Sequence, residues 1–212
     1  MTTRILLVDD HVVVRAGLAA LLRSAISDVE LGEAGDISAA MRAIEAQAWA
    51  LVVLDINLPG RSGLELLQGL STTHPKLPVL VMSGYPEHGF ASRSLRLGAR
   101  GYVTKSTAAD ELVAAVRQVL AGRRYVSRAL AEQLAEDVVH EDVEPLERLS
   151  HRELEVLRLI AQGQSLKRIA AELNLSEKTI GTYRARLGEK LGLRSNVELT
   201  RFAIRHRLID AS

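Results

Sequence analysis

The feature that most constrains this chain is a short apolar run, Leu51-Val52-Val53-Leu54. It stops abruptly at Asp55 and is followed by Ile56-Asn57-Leu58-Pro59-Gly60. A run with no polar alternation, bounded by Pro and Gly, reads as a central strand buried on both faces of a parallel sheet. Open α/β sheets carry their chemistry just beyond the carboxyl ends of such strands, which is where Asp55 falls. An Asp at a strand end is also a common turn starter or helix cap. The rest of the chain decides between these.

Ile5-Leu6-Leu7-Val8 closes at Asp9-Asp10, and Val29-Leu31-Ala34 alternates as a sheet-edge strand would. Leu77-Pro78-Val79-Leu80-Val81-Met82 ends at Ser83-Gly84, and Gly101-Tyr102-Val103-Thr104 ends at Lys105. Helical patterns lie between them: through Val12 to Leu22, after a cap at Asp36, and after Ser62 with Glu65 in capping-box form. Two more run through Phe90 and Leu95, and from a cap at Thr107 to a stop at Gly122. This alternation predicts a doubly wound five-stranded parallel sheet with right-handed crossovers. Asp9, Asp10, Asp55, Ser83 and Lys105 then share one edge. Three close carboxylates repel unless a cation joins them, and all-oxygen ligands suit Mg²⁺. Asp55 beside Mg²⁺ can attack a phosphoryl group, while Lys105 and Ser83 can each hold an equatorial oxygen. Singly, the same residues also fit a helix cap, a solvated lysine and a turn serine.

With 212 residues the chain is long enough for one large domain or two small ones. It has no cysteine, which excludes disulfides, thiolate catalysis and cysteine metal sites. No apolar run approaches the ~18 residues of a membrane helix, and the opening residues lack a signal-peptide layout. The expectation is a cytoplasmic protein with no membrane partner. The net charge of +1 hides an asymmetry. Residues 1–147 carry 14 Lys+Arg against 19 Asp+Glu, whereas residues 148–212 carry 13 against 7. An acidic front and a basic tail suggest two modules, the second facing a polyanion.

Residues 127–136 can form a short helix, and the acidic, Pro145-containing stretch from Asp137 to Glu147 reads as a linker. The expected organisation is 1–124, a linker over 125–147, and an all-α four-helix domain over 148–212. The tail opens with a capping box (Ser150, Glu153) and a staple (Leu149, Leu154). Ser165 and Ser176 cap the next two helices, Asn174 makes the turn between them, and Ser195 opens the last. Two helices joined by a tight turn, the second carrying Lys178, Arg184, Arg186 and Lys190, fit either a DNA-binding helix-turn-helix or a small helical interaction domain.

Residues 4–122 resemble the receiver domain of bacterial two-component response regulators. The resemblance rests on Leu7-Val8-Asp9-Asp10-His11, Asp55-Ile56-Asn57-Leu58-Pro59-Gly60, Ser83 and Gly101-Tyr102-Val103-Thr104-Lys105. It implies that Asp55 accepts phosphate from a sensor histidine kinase. It also implies that Asp9, Asp10, Asp55 and the Asn57 backbone carbonyl hold Mg²⁺, and that Ser83 and Tyr102 form a switch pair. Tyr102 also fits a plain edge-strand aromatic. Residues 148–209 resemble the DNA-binding domain of the LuxR/NarL/FixJ class, through Leu149 to Leu157, Ile169 to Leu173, Leu175 to Ile180 and Lys190-Leu191-Gly192. This implies double-stranded DNA as partner, with Lys178, Thr179, Arg184 and Lys190 on phosphates. Gly181, Thr182, Ala185 and Arg186 would face the groove, and the last helix would help pair two copies as a homodimer.

Gly181 stands where relatives often carry a longer side chain, Tyr183 where His is common, and Gly188 weakens the helix further on. Specificity is then expected to lean on Thr182, Arg186 and DNA shape, with binding dependent on dimerisation. The leading expectation is a phosphorylation-controlled transcription regulator rather than a turnover enzyme. An aspartyl-phosphate phosphatase is a rival, but such enzymes typically place a second acid where Asn57 stands. A phosphorylation-independent DNA-binding regulator, with the first domain serving only for dimerisation, is the other.

Overall fold

The structure, a computed structural model, describes residues 2–58, 62–84, 87–137, 145–206 and 208–209. The chain divides into two compact units, residues 1–138 and 139–212. In the first, β1 (Thr3–Val8), α1 (Val12–Ala25), β2 (Val29–Ala34), α2 (Ile37–Ala46) and β3 (Leu51–Asp55) follow in order. They continue into α3 (Gly63–Thr73), β4 (Val79–Ser83), α4 (Glu87–Arg96), β5 (Gly101–Thr104) and α5 (Ala109–Leu120). The sheet order is β2-β1-β3-β4-β5, with every pairing parallel. This is the flavodoxin-like order, and it places the β1 and β3 exits side by side. β3 and β4 are buried at every position, while β2, at the edge, buries only Ala34 and does not show the expected strict alternation. Each buried Val, Leu or Ile side chain contributes about 1.5–3 kcal/mol relative to exposure. A register slip would forfeit many of these contributions at once.

Local departures from the expected pattern have physical reasons. Thr107 does not cap α5: Ala108 takes that position without a side-chain bond. The Thr107 hydroxyl instead accepts from the Thr104 amide at 3.1 Å, closing the turn that carries Lys105. Ser62 caps α3 through the Leu64 amide, one residue earlier than a capping box requires. The first unit also extends beyond residue 124. The Tyr125 amide donates to the Arg100 carbonyl at 2.8 Å, forming a parallel bridge beside β5. The Tyr125 hydroxyl donates to Glu111 Oε1, and α6 (Arg128–Asp137) buries Leu130 completely. Residues 59–61, Tyr85-Pro86 and residues 138–144 of the expected linker lie outside the described residues.

The second unit opens with a 3₁₀ turn (Pro145–Arg148), followed by α7 (His151–Ala161), α8 (Leu166–Glu172), α9 (Glu177–Leu191) and α10 (Asn196–Arg205). Capping boxes close at Ser150 with Glu153 and at Ser195 with Glu198, while Ser165 and Ser176 cap α8 and α9. Leu149, Leu154, Leu157, Ile169, Ile180 and Leu187 bury their side chains in its core. Asn174, at φ 52°, makes the turn between α8 and α9. Gly192, at φ 69°, ends α9 in the left-handed conformation that a side chain would strain.

Candidate functional site

Parallel strands bring the expected chemistry to one edge. Asp9 follows β1, Asp55 ends β3, Ser83 ends β4 and Lys105 follows β5. Asp9, Asp55 and Ser83 are all buried, and Asp55 exposes 0% of its surface. The Lys105 ammonium lies 2.7 Å from Asp55 Oδ2 and 2.6 Å from Asp9 Oδ2, although only the Asp55 contact has hydrogen-bond geometry. The Asn57 amide donates to Asp55 Oδ1 at 2.9 Å, so both carboxylate oxygens are held. Burial pushes the Asp55 carboxyl above its ordinary value, partly offset by Lys105 and the Asn57 amide. For Lys105, burial acts to lower the value, but attraction to Asp55 and Asp9 overrides it and holds the ammonium charged.

Ligand atoms of Asp9, Asp10, His11 and Asp55 all lie within 4.8 Å of one another. Asp10 Oδ1, although 2.8 Å from the His11 ring, makes no hydrogen bond, while buried Asp9 Oδ2 is ion-paired with the Lys105 ammonium at 2.6 Å without hydrogen-bond geometry. Carboxylate oxygens left in that condition fit a hard divalent cation. Magnesium is therefore compatible with the residues present.

Three further residues shape this edge without having been given a role from the sequence, although His11 stands in the Leu7–His11 motif. The His11 amide and ring both reach Asp9 Oδ1, at 2.8 and 3.1 Å, leaving Oδ2 to face Lys105. Arg15 donates to the Asp9 carbonyl at 2.5 Å and to Glu33 Oε2 at 3.1 Å, tying α1 to the exits of β1 and β2. Gly63 packs so closely that an added Cβ would lie 2.4 Å from the Asp55 carbonyl oxygen. Only the helix opening at Ser62-Gly63 hinted at the last of these. Tyr102 is fully buried on β5, and the Ser83 carbonyl accepts from the Lys105 amide at 2.7 Å.

In the second unit, α9 exposes Lys178, Thr182, Ala185 and Arg186. Spacings of three and four residues put these on one side of the helix, with Gly181 among them, while Ile180 and Leu187 are buried. The Thr179 amide and hydroxyl both engage Ser176 at the cap. The other two cations have partners within the unit. Arg184 donates to Asn196 Oδ1 at 2.8 Å and to the Arg194 carbonyl at 3.3 Å. The Lys190 ammonium lies 2.6 Å from Glu153 Oε2, an oxygen that also accepts from the Ser150 amide. Gly188 has a packing reason of its own, since a Cβ there would lie 2.7 Å from the Leu193 carbonyl oxygen.

Residues 5–117 match the family profile described as the response regulator receiver domain, and residues 147–203 match that of the bacterial regulatory proteins of the luxR family. The response regulator GacA of Pseudomonas protegens is 38% identical over 212 residues, covering 99% of each chain. The response regulator UvrY of Escherichia coli O6:H1 is 36% identical over 209 residues, covering 98% of this chain and 96% of its own. Among solved structures, RcsB of Salmonella enterica serovar Typhimurium, bound to promoter rprA in the presence of the phosphomimetic BeF3−, superposes with a TM-score of 0.64. It is 27% identical, covering 95% of this chain and 98% of its own. Sheet order, acidic edge, helix-turn-helix and full-length likeness converge: the chain belongs to the two-component response regulators of the NarL/FixJ class, phosphorylatable proteins that control transcription through a LuxR-type DNA-binding domain.

Proposed function

We propose that Asp55 is the phosphoacceptor and that its donor is a sensor histidine kinase. The observation that carries this is a fully buried carboxylate at the exit of the central strand, held 2.7 Å from the Lys105 ammonium. Asp55 Oδ attacks the phosphorus, the bond to the donor nitrogen breaks, and the leaving imidazole takes a proton. Mg²⁺, when held by Asp9, Asp10, Asp55 and the Asn57 backbone carbonyl, supplies charge neutralisation for the transferred group. Lys105 turns from Asp55 toward one equatorial oxygen of the phosphoryl group, and the Ser83 hydroxyl toward another. Ser83 and Tyr102 are the switch pair through which the phosphorylated edge reports to α4 and β5. The group is later lost to water, and no other substrate is turned over.

The two-state receiver then controls homodimerisation and access of α9 to double-stranded DNA in the cytoplasm. The working division is a receiver whose alternating strands and helices lie within residues 1–124, a connecting segment over 125–147 whose first part packs on that receiver, and a DNA-binding domain over 148–212. Lys178 and Thr179 address phosphate, and Gly181, Thr182, Ala185 and Arg186 face the major groove. Intact-mass spectrometry after incubation with acetyl phosphate and Mg²⁺ tests the assignment. One phosphoryl adduct is expected, absent in Asp55→Asn and accompanied by a shift toward dimer in size-exclusion runs. An adduct of equal yield in Asp55→Asn would refute it.

A further inference from the structure

The cations of α9 fall into two groups. Lys178 and Arg186 are exposed on the outer side; Lys190 is exposed as well, its side chain 39% accessible, but its ammonium is held by α7, and Arg184 is half-buried and held at the start of α10. We propose that Arg184 and Lys190 are positioning residues that fix the angle of α9, and that neither is a DNA-phosphate contact. This rests on α9 being the recognition helix.

Two anchors act in different directions. Lys190 joins the last turn of α9 to the first turn of α7 through Glu153, whose side chain is only 2% exposed. Glu153 is held below the usual carboxylate range: burial opposes ionisation, and the bonds from Lys190 and Ser150 outweigh it. Drawing Lys190 away to a phosphate would leave that buried charge without its cation, a loss that one phosphate contact does not repair. Arg184 joins the middle of α9 to the start of α10, through the Asn196 side chain and the Arg194 carbonyl. The same turn is locked from the other side, because Glu198 Oε2 accepts from the Arg194 and Ser195 amides.

A rise of 1.5 Å per residue puts Lys190 about 18 Å from Lys178 along the helix axis. A small tilt at the anchored end therefore becomes a large displacement where bases are read. Base readout depends on distances held to fractions of an ångström, whereas attraction to phosphate tolerates such movement. Losing an anchor should reduce discrimination between sequences and leave the number of neutralised phosphates unchanged.

The full-length protein is titrated over a range of KCl concentrations against two duplexes of about 30 base pairs. One is enriched by this protein from a randomised pool and the other is scrambled. For Lys190→Met and Arg184→Met, the preference for the enriched duplex should fall about tenfold with the salt slope unchanged. Lys190→Arg should restore the preference. Asn196→Ala removes the shorter of the two Arg184 bonds and Glu153→Gln the charge that holds Lys190, both cations being kept, and each should show a loss in the same direction. Lys178→Ala is the contrast, weakening both duplexes alike and reducing the slope by about 0.9. A slope reduced by that amount in the Lys190 or Arg184 variants would make them phosphate contacts and overturn the proposal. Unchanged preference with only a lowered melting temperature would also overturn it, because a merely structural role scales both affinities together. If the parent bound neither duplex, the reading of α9 as a recognition helix would fail first, and this inference with it.

Discussion

Gly63 sets the path of the segment that carries Asp55 and Asn57. Its amide donates to the Ile56 carbonyl at 3.0 Å, and its missing side chain lets α3 begin against the Asp55 backbone. The atoms a Cβ would meet are backbone, so no rotamer change can relieve the clash. Gly63→Ala should destabilise the first unit by about 1–3 kcal/mol in urea unfolding and slow phosphorylation by acetyl phosphate. Glu153 makes a second prediction at this scale. Its folded pKa is depressed, so the Lys190 pair stabilises fully above the ordinary glutamate value of about 4.3 and loses its contribution as pH falls below it. Unfolding of the second unit followed through that range should show a shallower acid decline in Glu153→Gln; identical curves would show that the pair adds no pH-dependent stability. Asp9, Asp55 and Lys105 were legible in the sequence because topology alone brings the ends of parallel strands to one edge. Arg15 and Gly63 were not, because their roles depend on how closely a loop folds back.

Two glycines of α9 separate what a helix needs for itself from what it offers to a partner. Gly188 looked like a weak point by propensity, yet the chain after Gly192 folds back until the Leu193 carbonyl touches the space where a side chain would stand. Gly181 has nothing within 4 Å of that space. Gly181→Ala should therefore stabilise the second unit by up to about 1 kcal/mol, whereas Gly188→Ala should destabilise it despite the same gain in propensity. Thermal unfolding of the two variants checks the opposite signs, and two equal gains would show that the Leu193 approach costs nothing to relax. The helices themselves were readable from Ser150, Ser165, Ser176 and Ser195, since a cap is a local signal and all four accept the amide bonds expected of them. The cap expected at Thr107 failed because its hydroxyl found the Thr104 amide first. Lys190 with Glu153 was beyond reach, because 37 residues separate partners that helix packing brings together.

At the scale of the molecule, the question is where the receiver ends. Charge and composition change near residue 148, which is why a linker beginning at 125 was the natural reading. Long-range bonds attach the start of that segment to the first unit: Tyr125 is stitched to Arg100 and Glu111, and Leu130 is buried completely. A polar-flanked segment of this kind gives no periodic signal, because what holds it is a neighbour's edge and not its own pattern. A fragment of residues 1–124 loses at least the two hydrogen bonds that Tyr125 makes to Arg100 and Glu111, each contributing about 0.5–1.5 kcal/mol. It also loses a buried leucine, whose truncation to Ala alone costs about 2–5 kcal/mol. Against a typical domain stability of about 5–15 kcal/mol, that is a large fraction. Residues 1–137 should therefore unfold at distinctly higher urea than residues 1–124, and Leu130→Ala in the longer fragment should recover much of the difference. Coincident midpoints for the two fragments would mean that residues 125–137 rest on the receiver without stabilising it, and would return the boundary to residue 124.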